Sequence, residues 1–248
     1  MMRSFIRRLT AFIFPPLCRM CNERQRVFSP TLPRVLCPDC MERWQQEKEQ
    51  CCSVCGKVHA SCRCMPRALE QSGCDTLVHL TYYVSHHKTA TSALVLRCKD
   101  HNDRELFGFL AQELYPALQP ILQDACDEQI VVSFVPRRRA AVQAKGHDHA
   151  KELAAMLAKK GNYPFAVLLR RKKNAQQQKQ LTAAERERNA AHSFEVEPGA
   201  DVAGKTVLLV DDICTTGSSL SSCTALLLGA GAKRVLCAVI AKTERVSE

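Results

Sequence analysis

The chain has 248 residues, a formal net charge of +10 and fifteen cysteines. That length supports one substantial core plus a small accessory module, and the charge favours anionic partners: phosphate ligands, nucleic acid or an acidic membrane surface. A transmembrane helix is excluded because no segment supplies the roughly 20 apolar residues it needs, and the Cys-x-x-Cys pairs near the N-terminus, without a credible export signal, read as metal in a reducing cytosol rather than as a secreted disulfide scaffold.

Residues 1–17 place Arg3, Arg7 and Arg8 ahead of a short apolar run, Ala11 to Phe14, that Pro15 and Pro16 end. No small-residue cleavage site follows, so this basic segment reads as a partly amphipathic helix docking on the protein or peripherally on a membrane. Residues 18–66 form a cysteine-rich module. Cys18-x2-Cys21 and Cys37-x2-Cys40, fifteen residues apart, have the spacing of a four-cysteine zinc ribbon. Cys52-x2-Cys55 and Cys62-x-Cys64 form a second set, for which Cys51 and His59 compete as ligands. Few large apolar residues besides Leu36 and Trp44 are available, so Zn2+ is expected to supply the folding free energy of the module, as a structural ion. Its contacts stay open among nucleic acid, a partner protein and the neighbouring domain.

From 75 to 245 the apolar pattern alternates strand and helix. Thr76 to Val84 reads as a strand, and Ala90 to Leu96 and Arg104 to Leu118 read as helices flanking a polar break that contains Lys99. Ile130 to Val135 is a second strand, ending at Pro136 and followed by Arg137, Arg138, Arg139 and a basic loop through Lys145 and Gly146. A helix over Ala150 to Lys159 and a strand over Phe165 to Leu169 come next. Thr182 to Glu185 is a capping box opening a basic helix. This order predicts a doubly wound, mainly parallel α/β sheet.

The most informative stretch follows. Val207 to Val210 is a short apolar run suited to a strand buried on both faces. Asp211 and Asp212 sit where such a strand leaves the sheet, in the crevice where open α/β sheets bind ligands. Ile213 and Cys214 lead into Thr215, Thr216, Gly217, Ser218 and Ser219, small residues whose N–H and hydroxyl groups can wrap an anion at the start of a helix over Leu220 to Leu228. A plain acidic strand end with a helix cap is the competing reading. Arg234 to Ala241 is the last strand.

Residues 207–219 resemble the phosphoribosyl diphosphate (PRPP) signature of type I phosphoribosyltransferases. The resemblance implies that Asp211 and Asp212 contact the ribose hydroxyls and that Thr215 to Ser219 hold the 5′-phosphate. Together with the cysteine knuckles, Pro136 with its arginines, Gly146, and the Gln178, Leu181, Arg186, Asn189 and Phe194 positions, the chain resembles the ComF family. That likeness implies a type I phosphoribosyltransferase fold with a small N-terminal zinc-ribbon module, PRPP bound with Mg2+, and a role in DNA uptake or ribosyl-phosphate transfer in the cytoplasm. Arg137, Arg138, Arg139, Lys145, Gly146 and Lys99 are expected around the diphosphate, and the Arg170 to Ala191 segment, with Gln178, Arg186 and Asn189, as a loop closing over the site. In place of the family's Arg-Gly-Phe-Asn-Gln-Ala stands Lys145-Gly146-His147-Asp148-His149-Ala150. A non-catalytic adaptor for single-stranded DNA or a DNA-translocating ATPase is the alternative; aromatic residues, 6% of the chain, are sparse for base stacking. PRPP-regulated transcription control ranks last, since no helix-turn-helix is evident. Acceptor and oligomeric state stay open. His86, His87, His101, His147 and His149 are expected as ordinary surface or capping groups. Cys74, Cys98, Cys126, Cys223 and Cys237 are expected as small core or loop residues, while Cys214 could have a thiol lowered by the helix N-terminus.

Overall fold

The computed structural model describes residues 15–25, 35–84, 89–125, 128–172 and 193–243. The basic N-terminal run to Phe14, Cys126, and the Gln178, Thr182, Arg186 and Asn189 positions lie outside the described residues.

The main sheet holds β1 (Thr76–Val78), β2 (Thr81–Tyr83), β3 (Ile130–Phe134), β6 (Thr206–Cys214) and β7 (Arg234–Thr243), in the order β1-β7-β6-β3 with β2 also on β7. Every pairing in it is parallel. β1 and β2 follow β7 in one unbroken register, Thr76 opposite Leu236 and Thr81 opposite Ala241. The single strand expected over Thr76 to Val84 is thus one edge strand interrupted at His79 and Leu80. The strand expected over Phe165 to Leu169 differs more. Phe165 makes one parallel bridge to Val132, after which the chain turns into β4 (Leu169–Arg171), antiparallel to β5 (Phe194–Val196).

Both faces of the sheet are covered, which explains why its central strands read as continuous apolar runs. Val132, Phe134, Leu208, Val210, Leu236 and Ala238 face one buried cluster, and Val131, Val207, Leu209, Val235, Cys237 and Val239 face the other. On the first face lie α3 (Ala90–Asp100), α4 (Arg104–Asp124) and α6 (His149–Gly161); on the second, α2 (Arg67–Gln71) and α7 (Ser218–Gly229). α4 runs past the expected end at Leu118 despite Pro116 and Pro120, because Leu118 and Leu122 stay buried in the core one turn apart.

The cysteine module packs on this first face. α1 (Pro38–Glu49) carries Trp44, fully buried, with its ring 6.3 Å from Phe109 and its indole N–H donating to Glu113 at 2.8 Å. Cys18, Leu36, Cys40 and Trp44 share one buried cluster with Phe109, Leu110 and the sheet. Glu47 accepts the backbone N–H groups of Ala90 and Thr91, at 2.5 and 2.9 Å, capping α3 from another element.

Candidate active site at the carboxyl end of the sheet

β6 continues through the acid pair to Cys214, so Asp211 and Asp212 lie within the strand rather than beyond it. β7 remains alongside, with Asp211 opposite Val239 and Ile213 opposite Ala241, whereas pairing with β3 ends at Phe134 opposite Val210. The loss of one neighbour opens the crevice. Asp211 Oδ1 accepts the Asp212 N–H at 2.9 Å, and Asp212 Oδ1 accepts the Ile213 N–H at 2.8 Å.

The two acids differ. Asp212 is buried, and burial raises its carboxyl, but His149 Nε2 at 2.9 Å and Lys99 Nζ at 3.1 Å outweigh that and hold it well below the usual carboxylate range. Asp211 has no such partner among the described ion pairs, and burial together with the charge of Asp212 pushes it well above that range.

A cavity of about 290 Å3 opens on this pair, lined by Lys99, Arg137, Arg138, His149, Arg171 and Ser219 as well as both acids. Lys99 comes from the last turn of α3 and Arg137 from the segment after β3. Arg171 comes from β4; its Nε donates to the Pro136 carbonyl at 3.1 Å and its guanidinium lies over the Phe194 ring. Arg139, Lys145 and Gly146 do not line this cavity. The expected basic loop is in part α5 (Arg139–Lys145), closed by Gly146 in the left-handed conformation, and Lys145 pairs with Asp100 at 2.7 Å. A larger cavity, about 770 Å3, lies by Ile130, Val131, Pro164 and Pro198, at the opposite end of the strands from the acid pair.

The departure at Lys145 to Ala150 has a structural content. Asp148 caps α6, accepting from Ala150 and Lys151, and its second oxygen accepts the Arg137 backbone N–H at 3.1 Å. His147 reaches the Cys98 carbonyl at 2.8 Å. His147 and His149 are therefore buried rather than on the surface, and His147, on a carbonyl in the last turn of α3, fits the capping half of the expectation.

Thr215 and Thr216 are exposed ahead of α7, and Thr216 Oγ1 lies 2.8 Å from Ser218 Oγ. Gly217, at φ +81°, is the N-cap of α7, and a Cβ there would meet Pro66 at 3.1 Å and Leu69 at 3.4 Å. The start of α2 and its N-cap Pro66 thus support this loop, and Ser221 Oγ adds a hydrogen bond to the Ala68 carbonyl at 2.9 Å. Cys214 is buried, and burial pushes its thiol up to about 12, opposite to the lowering a helix N-terminus would give.

Each cysteine quartet, Cys18, Cys21, Cys37 and Cys40, then Cys52, Cys55, Cys62 and Cys64, brings its sulfurs within 4.8 Å of one another. Cys51 and His59 belong to neither group. The backbone N–H groups of Met20 and Cys37 point at Cys18 Sγ, and Tyr82 donates its hydroxyl to Cys52 Sγ at 3.0 Å. Burial raises Cys52, but Tyr82 and backbone donors bring it down to about 6, while burial and the neighbouring sulfurs drive Cys62 up to about 12. Crowded thiols that cannot all ionise are suited to a dication that lets them do so, and four sulfurs fit tetrahedral Zn2+.

Arg171, expected at the start of the covering loop, lies instead in β4 and lines the cavity, and His149, expected as a surface or capping group, is buried in the cavity wall. The signal for Arg171 was present, two arginines directly after an apolar run; nothing local marks His149.

Residues 140–246 match the family model of the phosphoribosyl transferase domain. No curated protein matches the chain significantly. Among solved structures it is similar to an allosteric regulatory enzyme of purine biosynthesis (21% identity, TM-score 0.34, 61% of this chain and 26% of that one). It is also similar to glutamine PRPP amidotransferase from B. subtilis (19%, 0.34, 62% and 28%) and to a hypoxanthine phosphoribosyltransferase from Staphylococcus aureus (13%, 0.35, 62% and 75%). The chain thus spans only about a quarter of the length of the first two. No described helix is long and apolar enough to cross a membrane. On the family match and the parallel sheet, the chain carries a phosphoribosyltransferase-type domain.

Proposed function

We propose that this chain is a ComF-like protein that binds PRPP with Mg2+ at the end of β6 and transfers its ribosyl phosphate to an acceptor. The observation that carries the reading is a cavity, among the described residues, lined by Asp211 and Asp212 together with Lys99, Arg137, Arg138 and Arg171. Asp211 and Asp212 suit the ribose 2′ and 3′ hydroxyls, which are donors to carboxylates. Thr215 to Ser219, with the N-terminus of α7, suit the 5′-phosphate. Arginine forks at 137, 138 and 171 suit the diphosphate.

Cleavage of the C1–O bond builds positive charge on the ribose ring and negative charge on the departing diphosphate. With PRPP so placed, the carboxylates would lie toward the ring and the guanidinium groups toward the leaving group, and both developing charges would be stabilised by positioning and electrostatics. Mg2+, carried with the substrate, would add charge neutralisation to the diphosphate. The residues at 178, 186 and 189 are assigned to the covering loop by resemblance.

A DNA-uptake role rests on the likeness to the ComF family and on the charge of +10. Calorimetry with PRPP and Mg2+ tests the ligand. Binding is expected, with Asp211→Asn combined with Asp212→Asn abolishing it; absence of binding to the wild type, or unchanged affinity in the double variant, overturns the assignment. Release of diphosphate with nucleobases, ammonia or nucleic acid then identifies the acceptor. Affinity for single-stranded DNA that falls steeply with salt would favour the adaptor role.

A further inference from the structure

The imidazole of His149 is 3% exposed and touches both halves of the site. Its Nδ1 lies 2.9 Å from Arg137 Nη1 and its Nε2 lies 2.9 Å from Asp212 Oδ2. A guanidinium has donors and no acceptor, so Nδ1 must supply the lone pair. The ring proton is then on Nε2, the nitrogen 2.9 Å from the carboxylate oxygen.

We propose that His149 is the positioning residue of this site: a neutral Nε2–H imidazole that joins Arg137, on the diphosphate side, to Asp212, on the ribose side. The inference rests on the PRPP reading above. Three further contacts support the linkage. Asp148, beside His149, holds the Arg137 backbone N–H at 3.1 Å. Lys99 shares Asp212 Oδ2 with His149, and Asp212 Oδ1 is already taken by the Ile213 N–H. Oδ1 is thereby held by the backbone, and the buried Oδ2 is approached by His149 and Lys99, so turning the carboxylate away moves it off both.

His149, Asp211 and Asp212 also present ligand atoms within 4.8 Å of one another, which invites a metal-site reading. The Arg137 contact argues against it. A histidine that binds metal usually donates its other ring N–H to a carbonyl or carboxylate, whereas here the other nitrogen faces a donor and the near one keeps its proton. His149 is a hydrogen-bond bridge, not a ligand.

Glutamine supplies the same pair of functions, an acceptor oxygen and an N–H donor on one planar group. The test therefore compares wild type, His149→Gln and His149→Ala by PRPP–Mg2+ calorimetry, together with 15N NMR of the histidine ring in the free protein. The expected results are an Nε2–H tautomer, at least a tenfold loss of PRPP affinity in His149→Ala, and recovery to within about threefold in His149→Gln. An Nδ1–H tautomer, full affinity in the alanine variant, or a glutamine variant as weak as alanine overturns the proposal. If His149→Ala fails to fold, the tautomer and the glutamine variant decide. Wild-type protein that does not bind PRPP sinks the proposed function instead, while the NMR result still decides whether Arg137 and Asp212 are bridged.

Discussion

Replacing Asp211 by asparagine is expected to stabilise the protein while destroying its ligand site. The carboxylates of Asp211 and Asp212 come within 4.8 Å, and two like charges at that distance repel by about 3.5 kcal/mol at an effective dielectric of about 20. Lys99 and His149 contact Asp212, not Asp211, so they offset only part of this, and solvent at the open crevice screens more. Asparagine retains an acceptor oxygen for the Asp212 N–H, 2.9 Å away. A net gain of about 1–2 kcal/mol follows at pH 7.5, or about 2–8 °C in Tm for a chain of this size. Because burial and Asp212 raise the native pKa of Asp211, the wild-type contribution is complete below the unfolded pKa and is lost as pH rises through the folded one. The advantage of Asp211→Asn must therefore grow with pH and vanish towards pH 4. Urea unfolding followed by the fluorescence of the single tryptophan, Trp44, from pH 4 to 8 measures it. A variant less stable than wild type at pH 7.5, or a gain independent of pH, refutes the reasoning.

Gly217→Ala forces a Cβ onto a φ of +81° and against Pro66; a loss of about 1–2 kcal/mol and at least tenfold in PRPP affinity is expected, by denaturation and calorimetry. Trp44→Ala removes a fully buried ring between the cysteine module and α4; it should cost about 3–5 kcal/mol, read as a lower Tm by calorimetry. Metal analysis should find two zinc ions per chain, and Cys62→Ser should lose one of them while leaving the first quartet loaded. One ion in the wild type would contradict the four-sulfur geometry of the second group. Glu47→Ala uncaps α3 from α1 and should cost about 1 kcal/mol, seen as a fall in urea midpoint.

Much of this was legible because it depends on neighbours in sequence. Buried parallel strands need apolar residues on successive positions, so Val207 to Val210 and Ile130 to Phe134 declare themselves, and the acid pair with its small-residue loop follows within one strand-to-helix turn. Metal spacing is equally local, and both cysteine quartets assemble from it. The site's cationic wall is different. Lys99, the adjacent Arg137 and Arg138, and Arg171 come from three separate parts of the chain and meet only because the sheet order puts β3 beside β6 and folds α3 over their ends. Lys145 and Arg139, with the same local promise as Arg137, do not line the cavity because the chain coils into α5.

The sequence by itself determined the parallel sheet, the position of the two carboxylates and the thiol pairs, since each is a short-range pattern with its own physical reason. Only the tertiary structure decided which charges face those carboxylates and that the two differ in ionisation. It also revealed that His149 stands between Asp212 and Arg137, because burial and charge pairing depend on distances between segments that no local pattern encodes.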